Sequence, residues 1–125
     1  MIEVKIEGHD LRELNRDLSA LKPSKLLKDD LNQLGRGIVQ EARRYPPSRT
    51  SYKRTGLLGR SWMYAVRGLD VHIENPAKYA GYVMGEEQIA LHRKHGWRRI
   101  FDIATTETEK MLKNISREID KIWKN

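Results

Sequence analysis

"RSWMYAVRGLDVHIENP", residues 60–76, is the stretch on which the fold turns. Trp62, Tyr64 and Val66 alternate with Ser61, Met63 and Ala65, and Val71 and Ile73 alternate with Asp70, His72 and Glu74. Successive side chains of a strand point to opposite faces, so each run reads as a strand with one buried face. "RGLD" between them is short and holds a glycine, the mark of a hairpin turn. Asn75-Pro76 closes the second run, because proline has no N–H to give a ladder. Strands joined by so tight a turn pair antiparallel.

Upstream, Ile2, Val4 and Ile6 share one face of a further strand over residues 2–7, ended by Gly8. Asp10 and Glu13 form a capping-box pattern, and Leu11, Leu14, Leu18 and Leu21 follow at helical spacing until Pro23. Ser24 is placed to cap a second helix, whose stripe is Leu27, Leu31, Leu34, Ile38 and Ala42. Gly35 and Gly37 each weaken that helix by about 1 kcal/mol relative to Ala, or else permit close packing. Pro46 and Pro47 end it.

Residues 46–59 lack periodicity and read as a long loop. Downstream of the hairpin, Tyr79, Tyr82 and Val83 suggest one helical turn before Gly85, and residues 85–97 a second excursion, loop or partly helical. Ile100, Ile103, Ala104, Met111, Leu112, Ile115, Ile119 and Ile122 then mark one face of a long terminal helix. Trp97 reads as an anchor over its start, and Trp123 near its end as a residue that docks the helix or meets a neighbour. The expected architecture is α+β: a small antiparallel sheet packed against two long helices, within one domain spanning residues 1–125.

Composition narrows the function. The 125 residues include no Cys, which removes disulfide and thiolate chemistry and fits a reducing interior. "MIEVKIEGHD" does not read as a signal peptide, and no apolar run approaches bilayer length. The formal charge is +7, and its placement matters more than its size. Between Ala42 and Leu69 stand seven basic residues (Arg43, Arg44, Arg49, Lys53, Arg54, Arg60, Arg67) and no Asp or Glu; the rest of the chain carries 17 of each sign. Such a segment attracts nucleic acid, an anionic membrane surface or an acidic protein face.

No phosphate-cradling glycine loop, nucleophile elbow or dinucleotide fingerprint is present. Glu86-Glu87 and Asp29-Asp30 are adjacent pairs that diverge rather than converge on one bond, so no enzyme is expected and no cofactor. His92 and His95 could begin a zinc site, but two ligands beside Arg93, Lys94, Arg98 and Arg99 do not complete one, and no metal is expected. Tyr45 and Tyr52 interleave with Arg43, Arg44, Arg49, Lys53 and Arg54, a pattern compatible with nucleic acid. No recognition-helix, zinc-finger or RNP signature accompanies it. A small basic nucleic-acid-binding domain is therefore the alternative reading. The terminal helix does not read as membrane-bound, since Glu107, Glu109, Glu118 and Asp120 dilute its basic face.

Three stretches together resemble the tail-completion, or head–tail joining, proteins of long-tailed bacteriophages. They are "RTGLLGRSW" (54–62), "NPAKYAGYVMGEEQ" (75–88) and "HRKHGW" (92–97) leading into a long helix, with an amphipathic helix over 24–44 before them. The resemblance covers about residues 24–122. The chain departs from the usual pattern at "WRRIFDIA", where relatives carry a Pro-Phe-Leu-type stretch, and at "MGEEQ", where they carry Phe-Gly or Gly-Thr.

The resemblance implies a non-catalytic virion protein, made in the bacterial host cytoplasm. It would form a homo-oligomeric ring, commonly sixfold, at the head-proximal end of the tail and be monomeric in isolation. Its implied partners are the head connector and tail-tube proteins, with non-specific contact to DNA in the channel. The expected contact residues are Arg49, Tyr52, Lys53 and Arg54 in a basic arm that orders on its partner, and Glu86, Glu87, Arg93 and Lys94 in the second excursion. Thr55, Gly56, Leu57, Ser61, Trp62, Tyr79, Tyr82, Gly85 and Trp97 are the expected structural motif.

Overall fold

A computed structural model describes residues 2–7, 24–46, 56–68 and 70–124, with the side chains of 24–27, 119 and 122–124 outside the description. The expected helix over Asp10–Leu21 and the expected arm, with Arg49, Tyr52, Lys53, Arg54 and Thr55, fall outside these residues, as does the Trp123 side chain.

The alternating runs form the sheet. Strands β1 (Ile2–Ile6), β2 (Met63–Arg67) and β3 (Asp70–Asn75) lie in the order β1-β3-β2, both pairings antiparallel. Val66 faces Val71 across the hairpin, and Gly68 turns the chain at φ +60°. On the other side of β3, Val4 faces Ile73 and Ile2 faces Asn75. Val71, Ile73 and Asn75 are buried along one face of the central strand, while His72 and Glu74 are half-buried on the other.

Helix α1 (Ser24–Ala42) lays Leu31, Leu34, Ile38 and Ala42 into the core and packs against β2, β3 and the terminal helix α5 (Ile100–Lys124). A Cβ at Gly35 would overlap the Tyr64 ring, so this glycine lets helix and strand approach closely. α5 contributes Ile100, Ile103, Ala104 and Ile115, with Met111 and Leu112 packed at the core's edge. The α+β architecture is as the periodicities require.

One local reading changes and two gain detail. Residues 57–59, expected in a loop, belong to a single helical turn, α2 (Leu57–Arg60). The turn closes because Ser61 N–H and Oγ–H both reach the Leu57 carbonyl, at 3.1 and 2.6 Å. In α3 (Ala80–Met84) the tyrosines face outward: Ala80, Val83 and Met84 are buried while Tyr79 and Tyr82 are exposed. Ala80, Val83 and Met84, all smaller than tyrosine, fill the inner face of this one turn. The second excursion holds a further short helix, α4 (Ala90–Lys94), with no buried residue.

Candidate functional site

The "RTGLLGRSW" turn is tied to three other parts of the protein. Leu58 and Gly59 are buried on it, and Trp62 just after it is 1% exposed. Gly59 N–H donates to the Tyr45 hydroxyl at 2.7 Å, and Arg43 Nε–H donates to the Gly59 carbonyl at 3.2 Å. Those two bonds join the end of α1 to the turn, so the chain on either side of residues 47–55 is held to one place. Asn75, the last residue of β3 and fully buried, donates from Nδ2 to the Leu58 carbonyl at 2.9 Å. Its Oδ1 accepts Ala77 N–H at 3.0 Å. A buried amide that satisfied a carbonyl on one side and an amide on the other fixes strand end and turn together.

The Tyr45 ring also meets Trp97, centroids 5.1 Å apart and tilted by 54°, a geometry worth about 0.5–1.5 kcal/mol. Trp97 is half-buried against the core. Gln88 Nε2 donates to the carbonyls of Val83 (2.8 Å) and Trp97 (2.9 Å), drawing the two ends of the second excursion together. Ile89 N–H donates to the Tyr82 carbonyl at 3.1 Å, and His92 Nδ1 lies 3.1 Å from the same oxygen. His92 is thus a hydrogen-bonding residue of the loop. Among the described residues no group of three or more potential metal ligands occurs. Arg98 reaches back to Glu41, its Nη2 3.2 Å from Oε2 and 3.1 Å from the Glu41 carbonyl.

The three stretches that carried the resemblance therefore meet in space around Tyr45, Leu58, Asn75 and Trp97. Gly56, Leu57, Ser61, Trp62, Gly85 and Trp97 take part in this framework, whereas Tyr79 and Tyr82 present their rings outward. Gly85 has a steric reason: a Cβ there would stand 2.7 Å from Gly81 Cα. Glu86, Glu87, Arg93 and Lys94 are all exposed.

Around them the surface is apolar in places where a solvated loop would be polar. Tyr82 is exposed on α3, Ile89 and Leu91 on the excursion, and Phe101 at the start of α5 is 66% exposed. Tyr82, Glu86, Glu87 and Phe101 line an open groove of about 840 Å³ beside β1, floored by Val4, Met84 and Ile100.

Arg43, Tyr45 and Asn75 carry framework roles beyond what the sequence reading gave them. For Asn75 a signal existed, since it continues the inward positions of Val71 and Ile73. For Arg43, Tyr45 and Gln88 the sequence carries none, because each acts on a backbone atom distant along the chain or across a loop.

No helix among the described residues is long and apolar enough to cross a membrane. No protein-family model, curated protein or solved structure matches the chain.

Proposed function

We propose that this protein is a structural assembly subunit of a long-tailed bacteriophage, a tail-completion or head–tail joining adaptor that works as a ring of identical copies and performs no catalysis. The observation that carries the reading is the convergence of the three motif-bearing stretches on one framework, with the flanks of the basic arm pinned to it. A framework of this kind fixes the two flanks, at Tyr45 and Gly59, beside one another. Apolar side chains set out along Tyr82, Ile89, Leu91 and Phe101 give a neighbouring subunit something to bury. The basic arm supplies electrostatic complementarity to an acidic face. An assembly surface needs these properties; a catalytic site would need convergent titratable groups, and Glu86 and Glu87 instead stand exposed on the groove rim.

Deleting residues 48–55 tests the reading. The shortened protein is expected to fold, because the described framework lies outside that segment, yet heads and tails of the corresponding particles should remain unjoined. Fully infectious particles carrying the deletion would overturn the proposal.

A further inference from the structure

We propose that β1 is a dimerisation strand, whose outer edge pairs antiparallel with β1 of a second copy of this chain about a two-fold axis. The sheet order β1-β3-β2 leaves β1 at an edge. Apart from its ladder to β3, no main-chain hydrogen bond among the described residues reaches Ile2–Ile6. Such an edge presents a row of N–H and C=O groups to which another strand can add. The open groove of about 840 Å³ lies beside it. The consecutive residues Ile2, Glu3, Val4 and Lys5 all line that groove, so it follows the edge of the strand rather than one of its faces.

The strand's own sequence selects the occupant. β1 reads IEVKI, and laid antiparallel on itself about Val4 it is complementary at every position. Ile2 meets the partner's Ile6, Glu3 meets the partner's Lys5, and Val4 meets the partner's Val4. The apolar face formed by Ile2, Val4 and Ile6 then continues into the second copy, and both charged pairs fall on the opposite face. Opposite charges directly across a ladder stabilise it, and like charges destabilise it. Neighbouring registers fail. A slip of two residues sets Glu3 against the partner's Glu3, or Lys5 against the partner's Lys5. A slip of one sets aliphatic side chains against charged ones and turns the apolar face of one copy outward.

Both charges stand at the surface. Glu3 and Lys5 are exposed, and Glu3 has no ion-pair partner among the described residues. Lys5 Nζ lies 3.4 Å from Asp70 Oδ2 on the neighbouring strand, and its side chain is 44% exposed. An ammonium has three donors, so a second carboxylate can be held from across the axis. The other edge strand, β2, reads MYAVR and carries a single charge, so it has no such symmetry. The β1 contact is isologous and closes at two copies, whereas a ring is built from head-to-tail contacts. The pairing therefore goes beyond the assembly reading and does not rest on it, and it departs from the monomer in isolation that the resemblance implies.

Sedimentation equilibrium of the full chain at micromolar concentrations tests this, with circular dichroism to check that each variant folds. Wild-type protein should fit a monomer–dimer equilibrium. Glu3→Lys sets lysine against lysine at both charged pairs, and Lys5→Glu sets glutamate against glutamate; each should weaken dimerisation roughly tenfold or more. Mixed in equal amounts, the two variants again set lysine against glutamate and should form a heterodimer, which a structural role of either residue alone does not produce. Val4→Cys places the sole thiol of a Cys-free chain on the axis, where antiparallel partners stand about 4.5–5.5 Å apart at Cα, a span that a disulfide bridges. Mild oxidation should give a covalent dimer, while Lys113→Cys, exposed on α5, should not. A wild-type chain that stays monomeric, single charge variants that dimerise as wild type, a mixture that does not pair, or a Val4→Cys chain that crosslinks no better than Lys113→Cys would each overturn the pairing.

Discussion

The turn over residues 56–62 and the excursion over residues 85–97 both interrupt regular structure, and they attach to the protein by different physics. The turn drives Leu58 and Trp62 into the core and receives a fully buried amide from Asn75. The excursion buries nothing in its helix α4 and is held by Gln88, His92 and backbone bonds, while Ile89 and Leu91 face outward. One is part of the core, built on a single helical turn. The other is a hydrogen-bonded platform that displays apolar side chains. Stability should therefore reside in the first, and recognition in the second.

The largest expected effect tests the first half of that contrast. Trp62→Ala removes a buried indole and should cost about 3–5 kcal/mol in urea unfolding. Trp62→Phe should cost much less, because the indole Nε1 is buried without a hydrogen-bond partner among the described residues, and phenylalanine keeps ring burial while removing that orphan donor. If the alanine variant loses under about 1 kcal/mol, the turn is not core and the contrast fails.

A smaller effect compares the two polar ties directly. Asn75→Ala leaves the Leu58 carbonyl and Ala77 N–H without their side-chain partner at a fully buried position, an expected loss of about 2 kcal/mol. Gln88→Ala also removes two bonds, but at a part-buried site where water can replace them, and should cost about 1 kcal/mol or less. Equal losses in urea unfolding would erase the distinction between core turn and platform.

These two ties also show what the sequence discloses. Strands and long helices are legible because their burial repeats at periods of 2.0 and 3.6, and β3 and α5 follow those periods closely. Short elements have no period to read. α2 and α3 each last about one turn, so the sequence could not tell which residues of "KYAGYVMG" face inward; Val83 and Met84 do, and the tyrosines do not. Polar ties were legible only where they sat on a periodic face. Asn75 continues the Val71–Ile73 alternation, whereas Gln88, Arg43 and Tyr45 act on carbonyls and amides that only the folded chain brings near. The basicity of residues 42–69 pointed to an anionic partner, but Tyr45 and Arg43 within it hold the framework together.

The smallest expected effect on stability is the most informative about function. Ile89→Ser with Leu91→Ser alters two side chains that are 45% and 55% exposed, so unfolding should shift by no more than about 0.5 kcal/mol. Neither side chain supplies a hydrogen bond to the platform, whose ties run through Gln88, His92 and the Ile89 and Tyr82 backbone. The double variant should keep its secondary structure by circular dichroism, since both side chains are exposed. Joining of heads to tails should nevertheless fall sharply, because an interface loses its apolar anchors while every charge remains. Unchanged joining would mean that the platform's exposed side chains are ordinary surface, and the recognition role would pass to the arm alone. A loss of stability well above 0.5 kcal/mol would instead mean that Ile89 and Leu91 pack against the protein, and the platform would then resemble the core turn it was contrasted with.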